Sequence, residues 1–263
     1  MIVRDYATFS TSRADDHAYL ALNDIAEFTA GWPDTRIVGG LMVSLLAEAF
    51  PTPGTISRRT ADVDTAISIE IAHSGELHER LVKAGYVAER GNRYRSDDRV
   101  VDLLVPSGST QFSSVELGGR GFHSAPGLLL ALGAEPVEHR LDVTLSDGAT
   151  LHLRVHTPTV EHAVILKSYA TGSRTASKDF VDLFNLLSIA HHHPPEEIGG
   201  WRLDDSESRG ARKDSQTQLH RLASHPELRS LVDGSGVAAP VLSQLIERLI
   251  ARAPQVHAVE HHD

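Results

Sequence analysis

The spacing of apolar and polar positions divides the chain into two unlike halves. Within residues 13–30, Ala18, Leu20, Leu22, Ile25, Ala26 and Phe28 recur at helical spacing before Trp32-Pro33-Asp34 ends the run. Arg36-Ile37-Val38 reads as a short strand entering Gly39-Gly40. Residues 41–50 then read as a buried helix stopped by Pro51 and Pro53. Residues 61–71, ADVDTAISIEI, alternate and are rich in β-branched side chains, which predicts a strand. Ser74 is the expected N-cap of a helix over 74–85. Residues 93–96 and 100–105 predict one hairpin. Residues 137–145 and 149–155 predict another, turning at Ser146-Asp147-Gly148. Between the hairpins, residues 107–136 read as Gly- and Ser-rich connection with one short apolar helix around 128–132.

After Pro158 the pattern becomes wholly helical, over residues 160–171, 178–190, 211–223 and 237–251. In the last of these, Val241, Leu242, Leu245, Ile246, Leu249 and Ile250 form one amphipathic face. The expected organisation is therefore α+β. A small mixed β-sheet core with flanking helices occupies 1–157, and a helical bundle occupies 158–263.

Bulk composition narrows the class. With 263 residues, 41% hydrophobic and 23% charged, the chain is long enough and apolar enough to bury a core. No cysteine is present, which removes disulfides and thiolate metal sites and agrees with a cytoplasmic setting. The N-terminus lacks a signal-peptide core, and no apolar run is long enough to span a bilayer, so no membrane role is expected. A net charge of −10 repels nucleic acid at long range and leaves room only for a local basic patch. Arg90, Arg93, Arg95 and Arg99 are the candidates for one, with a solvated turn as the alternative reading. His191-His192-His193 reads as a polar loop after a helix, and His257, His261 and His262 as part of a frayed tail.

The chemistry concentrates in carboxylates. Asp62 and Asp64 stand at i and i+2 on a predicted strand, so both leave the same face. Two carboxylates held so close repel unless a cation sits between them, and Mg²⁺ prefers oxygen ligands of this kind. Asp102, in Val100-Val101-Asp102-Leu103-Leu104, is a charge inside an apolar strand that needs a pairing partner, a metal or an open sheet end. If its strand neighbours that of Asp62, three carboxylates converge, enough for two-metal phosphoryl transfer. The upstream Gly39-Gly40 lets backbone N–H groups approach phosphate oxygens at a helix start.

Gly39-Gly40 followed by Arg58-Arg59-Thr60-Ala61-Asp62-Val63-Asp64 resembles the motif of the nucleotidyltransferase superfamily, the DNA polymerase beta-like fold. Downstream, Pro158, Leu166-Lys167, Arg174, Lys178-Asp179 and Asp182-Leu183 resemble a second block, found in the branch that contains the AbiEii and MenT toxins. That resemblance, over residues 36–187, implies an enzyme that uses Mg²⁺ or Mn²⁺ and an NTP. Asp62, Asp64 and Asp102 would ligate metal, with Asp102 also helping to deprotonate the acceptor. Gly39 and Gly40 would hold triphosphate oxygens, with Ser44 or Thr60 as the hydroxyl contact. Lys167 would offset charge on the leaving pyrophosphate, and Asp179 or Asp182 would orient it or the nucleotide. Arg58, Thr60 and Lys178 complete the expected nucleotide contacts.

The implied activity is transfer of a nucleoside monophosphate to a tRNA end or a protein, as a toxin would do beside its antitoxin. Two alternatives stand with it. One is modification of a small antibiotic-like molecule, which the acidic net charge suits. The other is a nucleotide-binding regulator that keeps the fold without turnover.

Overall fold

The chain opens with β1 (Ile2–Phe9), α1 (Arg13–Phe28), β2 (Thr35–Ile37) and α2 (Gly39–Ala49). It continues through β3 (Asp62–Ile67), α3 (Ile69–Ser74), α4 (Glu76–Lys83), β4 (Val87–Arg90), β5 (Arg93–Ser96) and β6 (Arg99–Pro106). Next come β7 (Ser113–Leu117), β8 (Arg120–Ala125), α5 (Leu128–Gly133), β9 (Val137–Thr144) and β10 (Thr150–Thr157). The rest is helical, with α6 (Val160–Ser173), α7 (Ser177–His192), α8 (Ala211–Ala223), α9 (Leu228–Leu231) and α10 (Ala239–Leu249). This computed structural model describes residues 1–90, 92–173 and 176–252. Arg174, His257, His261, His262 and the side chain of Arg90 lie outside the described residues.

The fold is α+β with two sheets. The larger, of seven strands, runs β2-β3-β6-β5-β4, with β8 added to the far end of β6 and β7 paired to β8. It is mixed. β3 and β6 are parallel, while β2–β3, β4–β5 and β5–β6 are antiparallel. The smaller sheet, β1-β9-β10, unites the predicted second hairpin with an N-terminal strand that the apolar pattern did not reveal.

Helix α2 explains how the layers join. Apolar on most of its surface, it sends Leu41 and Leu45 into the core shared by α1, α4 and the strands. It sends Met42, Val43, Leu46 and Ala49 into the core shared with α6, α7 and α10. Its one partly open stripe carries Ser44, Ala47 and Glu48.

The structure corrects four local expectations. The predicted strand over 61–71 ends at Ile67, because the Ser68 side chain accepts from the Ile71 N–H and starts α3. Ser74 ends α3, and its hydroxyl still accepts the Glu76 N–H that opens α4, while Gly75, at φ 72°, separates the two helices. The connection over 107–136 contains the β7–β8 hairpin, whose short and mostly exposed β7 leaves little apolar signal. His191 and His192 lie in the last turn of α7 rather than in a loop.

Candidate active site

Parallel pairing of β3 and β6 sets Asp64 opposite Asp102 and Asp62 opposite Val100. Asp62, Asp64 and Asp102 share one face of the sheet by strand parity. One carboxylate oxygen from each lies within 4.8 Å of the others, and all three residues are half-buried. The opposite face, with Val63, Val101, Leu103 and Val105, packs into the apolar core. Alternation thus puts the charges at the open side and the β-branched residues inside.

Gly39 stands directly against this cluster. At φ 68° it occupies a left-handed conformation, and a Cβ there would fall 1.9 Å from Asp64 Oδ2. The glycine pair opens the first turn of α2 itself, two residues earlier than the apolar run indicated. Gly40 lets Arg58 pass, since a Cβ at Gly40 would sit 2.3 Å from Arg58 Nη2. The Thr60 hydroxyl donates to Asp62 Oδ1. The Ser44 hydroxyl instead donates to the Arg58 carbonyl at 3.0 Å, so it fastens the strap ahead of β3.

Arg93 Nη1 donates to Asp102 Oδ2 at 2.9 Å. Burial pushes the Asp102 carboxyl above its ordinary value, opposed by Arg93 and aided by the negative Asp62. His123, across the β6–β8 pairing from Leu104, adds a further weak positive influence on Asp102. Sequence reasoning missed both partners. Arg93 was accessible to it, because a hairpin turning between Ser96 and Arg99 sets Arg93 opposite Asp102. His123 was not, since β8 carries no clear strand signal.

The second motif assembles a different object. The Lys167 ammonium, on α6, is 2.6 Å from Asp182 Oδ2 and 3.7 Å from Asp179 Oδ1. Arg58 grips the other side of Asp182 with two bonds, Nε to Oδ1 at 2.8 Å and Nη2 to Oδ2 at 2.9 Å. Lys167, Asp179 and Asp182 are all buried. One turn further along α7, Asn185 clamps the Ile56 backbone, accepting its N–H at 2.8 Å and donating to its carbonyl at 2.9 Å. The strap 51–60, which delivers Asp62 to the sheet, is thereby fastened to α7. Asn185 was not foreseen, because nothing local distinguishes it from other polar residues on that helix.

Lys178 is exposed in the first turn of α7, and no described contact ties it to the carboxylates. The anticipated basic patch is dispersed among acids. Arg95 pairs with Glu89, Arg99 with Asp24, and Arg93 with Glu89 as well as Asp102. A cavity of about 300 Å³, bordered by Ser44, Glu48, Arg58, Arg59, Asp182 and Asn185, opens beside the ion network. No helix among the described residues is long and apolar enough to cross a membrane.

No family model matches the chain, and no curated protein matches it. Among solved structures, the solution structure of the antibiotic-resistance factor ANT(2'')-Ia is similar at a TM-score of 0.38 and 13% identity, over 70% of this chain and 88% of that one. A likeness at that level carries no functional inference.

Proposed function

We propose that the protein is a metal-dependent nucleotidyltransferase that moves a nucleoside monophosphate from an NTP to an acceptor and releases pyrophosphate. The observation that carries this reading is the convergence of Asp62, Asp64 and Asp102 oxygens within 4.8 Å, beside the half-buried backbone of Gly39. The donor set fits Mg²⁺ or Mn²⁺, since all three ligands are carboxylate oxygens. Two oxygens on one Mg²⁺ lie at most about 4.2 Å apart, twice the metal–oxygen distance. Oxygens this close together suit one ion, or two ions side by side.

In this reading Asp62 and Asp64 hold the metal, and the Thr60 hydroxyl fixes the Asp62 rotamer. Asp102 completes the site. Its burial raises the proton affinity of its carboxylate, which suits a group that accepts the acceptor's proton. The metal supplies alignment and charge neutralisation at the α-phosphate. Backbone N–H groups of the first turn of α2, at Gly39 and Gly40, meet triphosphate oxygens. Lys167 offsets charge on the leaving pyrophosphate while Asp179 and Asp182 orient it, and Arg58 keeps Asp182 in place. Lys178 reaches the nucleotide from the exposed start of α7.

By the sequence resemblance, the acceptor is a tRNA end or a protein, and the partner an antitoxin. Incubation with each α-³²P-labelled NTP, Mg²⁺, and either total RNA or total protein tests this. Label transfer is expected from one NTP, lost in Asp64→Asn. Transfer only to a small cationic molecule would replace the acceptor assignment. No transfer and no Mg²⁺-dependent NTP binding would overturn the enzyme.

A further inference from the structure

Strand β1 ends the smaller sheet, and its outer edge is long, regular and bare. It pairs in parallel with β9 over eight residues, from Ile2 opposite Val137 to Phe9 opposite Thr144, without a register shift. In a parallel ladder, alternate residues of a strand turn their backbone groups to the same neighbour. The Ser10 N–H donates to the Thr144 carbonyl, which assigns the even residues to β9. Val3, Asp5, Ala7 and Phe9 therefore direct their N–H and C=O groups away from the sheet, and no described residue bonds to them there. Val3 is half-buried, Asp5 and Ala7 are exposed, and Phe9 is 64% exposed.

The other sheet ends are protected. β2 spans three residues, β7 five, and β4 four with a register shift between Ala88 and Arg90. β10 is as long as β1, but it lies against α1 and β2. Short, bulged or covered strands are the usual means of keeping an edge from pairing. β1 contains neither proline nor lysine. Its cation, Arg4, is held on the inner side by the Glu197 carbonyl and the Phe50 ring.

We propose that this edge pairs antiparallel with β1 of a second copy, joining two three-stranded sheets into one across a two-fold axis. The side chains select the register. With Val3 opposite Phe9, Asp5 stands opposite Ala7, Arg4 opposite Thr8, and Tyr6 opposite its own copy. The outward backbone groups of all four odd residues then find partners, and each exposed Phe9 gains an apolar cross-strand neighbour. The Thr8 hydroxyl donates to the Glu48 carboxylate at 3.4 Å, so Arg4 lies toward an acid across the junction and not toward another cation. Sliding the pairing by two residues would set Asp5 against Asp5, a destabilising like-charge pair. The chosen register is self-complementary, as a closed two-fold contact requires. Edge pairing buries little surface, so the dimer is weak and forms with concentration. The proposal does not depend on nucleotidyl transfer.

Sedimentation of the full chain without NTP or metal, from about 1 to 500 µM, is the test. Mass is expected to rise from 28.6 kDa toward twice that value, with Kd on the order of 10–100 µM. Ala7→Pro deletes an outward N–H that β9 does not use. It should weaken association about tenfold while leaving the melting temperature nearly unchanged. Phe9→Lys, at an exposed position, should weaken association by a similar factor. The chain has no cysteine, so cross-linking reads the register. Val3→Cys protein mixed with Phe9→Cys protein should form a disulfide dimer on mild oxidation, since directly opposed residues lie about 5.5 Å apart at Cα. Either protein alone should not. A chain that stays monomeric throughout, or a dimer that Ala7→Pro and Phe9→Lys leave unaltered, overturns the proposal. Cross-linking no greater in the mixture than in the separate proteins overturns it as well.

Discussion

The protein holds two acidic clusters built on opposite terms. At Asp62, Asp64 and Asp102, like charges converge on a half-buried sheet face, with Arg93 reaching only one side of Asp102. At Asp179 and Asp182, buried carboxylates are met by Lys167 and Arg58 in a nearly closed network. Electrostatics distinguishes what they do. In the proposed reading the carboxylates of the first cluster repel one another and gain on receiving a cation. The second is matched within the protein, and its gain appears in folding and in the placement of the 51–60 strap.

The largest expected effect is on the matched cluster. Asp182→Ala leaves both Lys167 and Arg58 without their shared partner, and breaking a buried pair from one side costs about 3–5 kcal/mol. Urea unfolding measures it, and a loss no larger than that of a surface substitution would remove the distinction between the clusters. Turnover should fall too, because the strap leading to Asp62 loses its anchor.

The self-repelling cluster should behave in the opposite sense. Without metal, Asp62→Asn keeps an acceptor for the Thr60 hydroxyl and removes one like charge. We expect stability to rise by about 1 kcal/mol or less, discounted because the face is partly solvated. The Mg²⁺- and NTP-dependent rise in melting temperature should vanish in the same variant. If Asp62→Asn destabilises the metal-free protein, the convergence is not repulsive.

A third effect comes from a buried group kept neutral rather than paired. His139 sits between Tyr6 and Thr157, and burial lowers its pKa from 6.5 to about 3. A lowered histidine pKa means that the unfolded chain takes up the proton first. Stability is therefore intact above about 6.5 and is lost as pH falls below it. Between pH 7.5 and 5.5 this single group should account for about 1.4 kcal/mol. Urea titrations of wild type and His139→Gln should differ by that amount in their pH dependence, and parallel curves would exclude His139 as the source.

Local sequence was sufficient wherever period and punctuation agree. The i, i+2 aspartates of β3, the turn at Ser146-Asp147-Gly148, and the helices after Pro158 are visible because alternation, turn chemistry and 3.6-residue spacing are properties of adjacent residues. The α+β class follows from them. The strand ending at Ile67 misled the reading, because Ile69 and Ile71 continue the β-like composition after Ser68 has already capped α3. The pairing of β3 with β6 is a contact between segments about forty residues apart, and only that register sets Asp64 beside Asp102.

The partners of Asp182 and the clamp at Asn185 belong to the same class of fact. Residue type and spacing determined which groups carry charge and which face of its own element each one takes. Which charges meet, which are neutralised and which are left exposed to a ligand depends on how helices and strands distant in sequence pack. That is decided by burial summed over the whole core, which no local window contains.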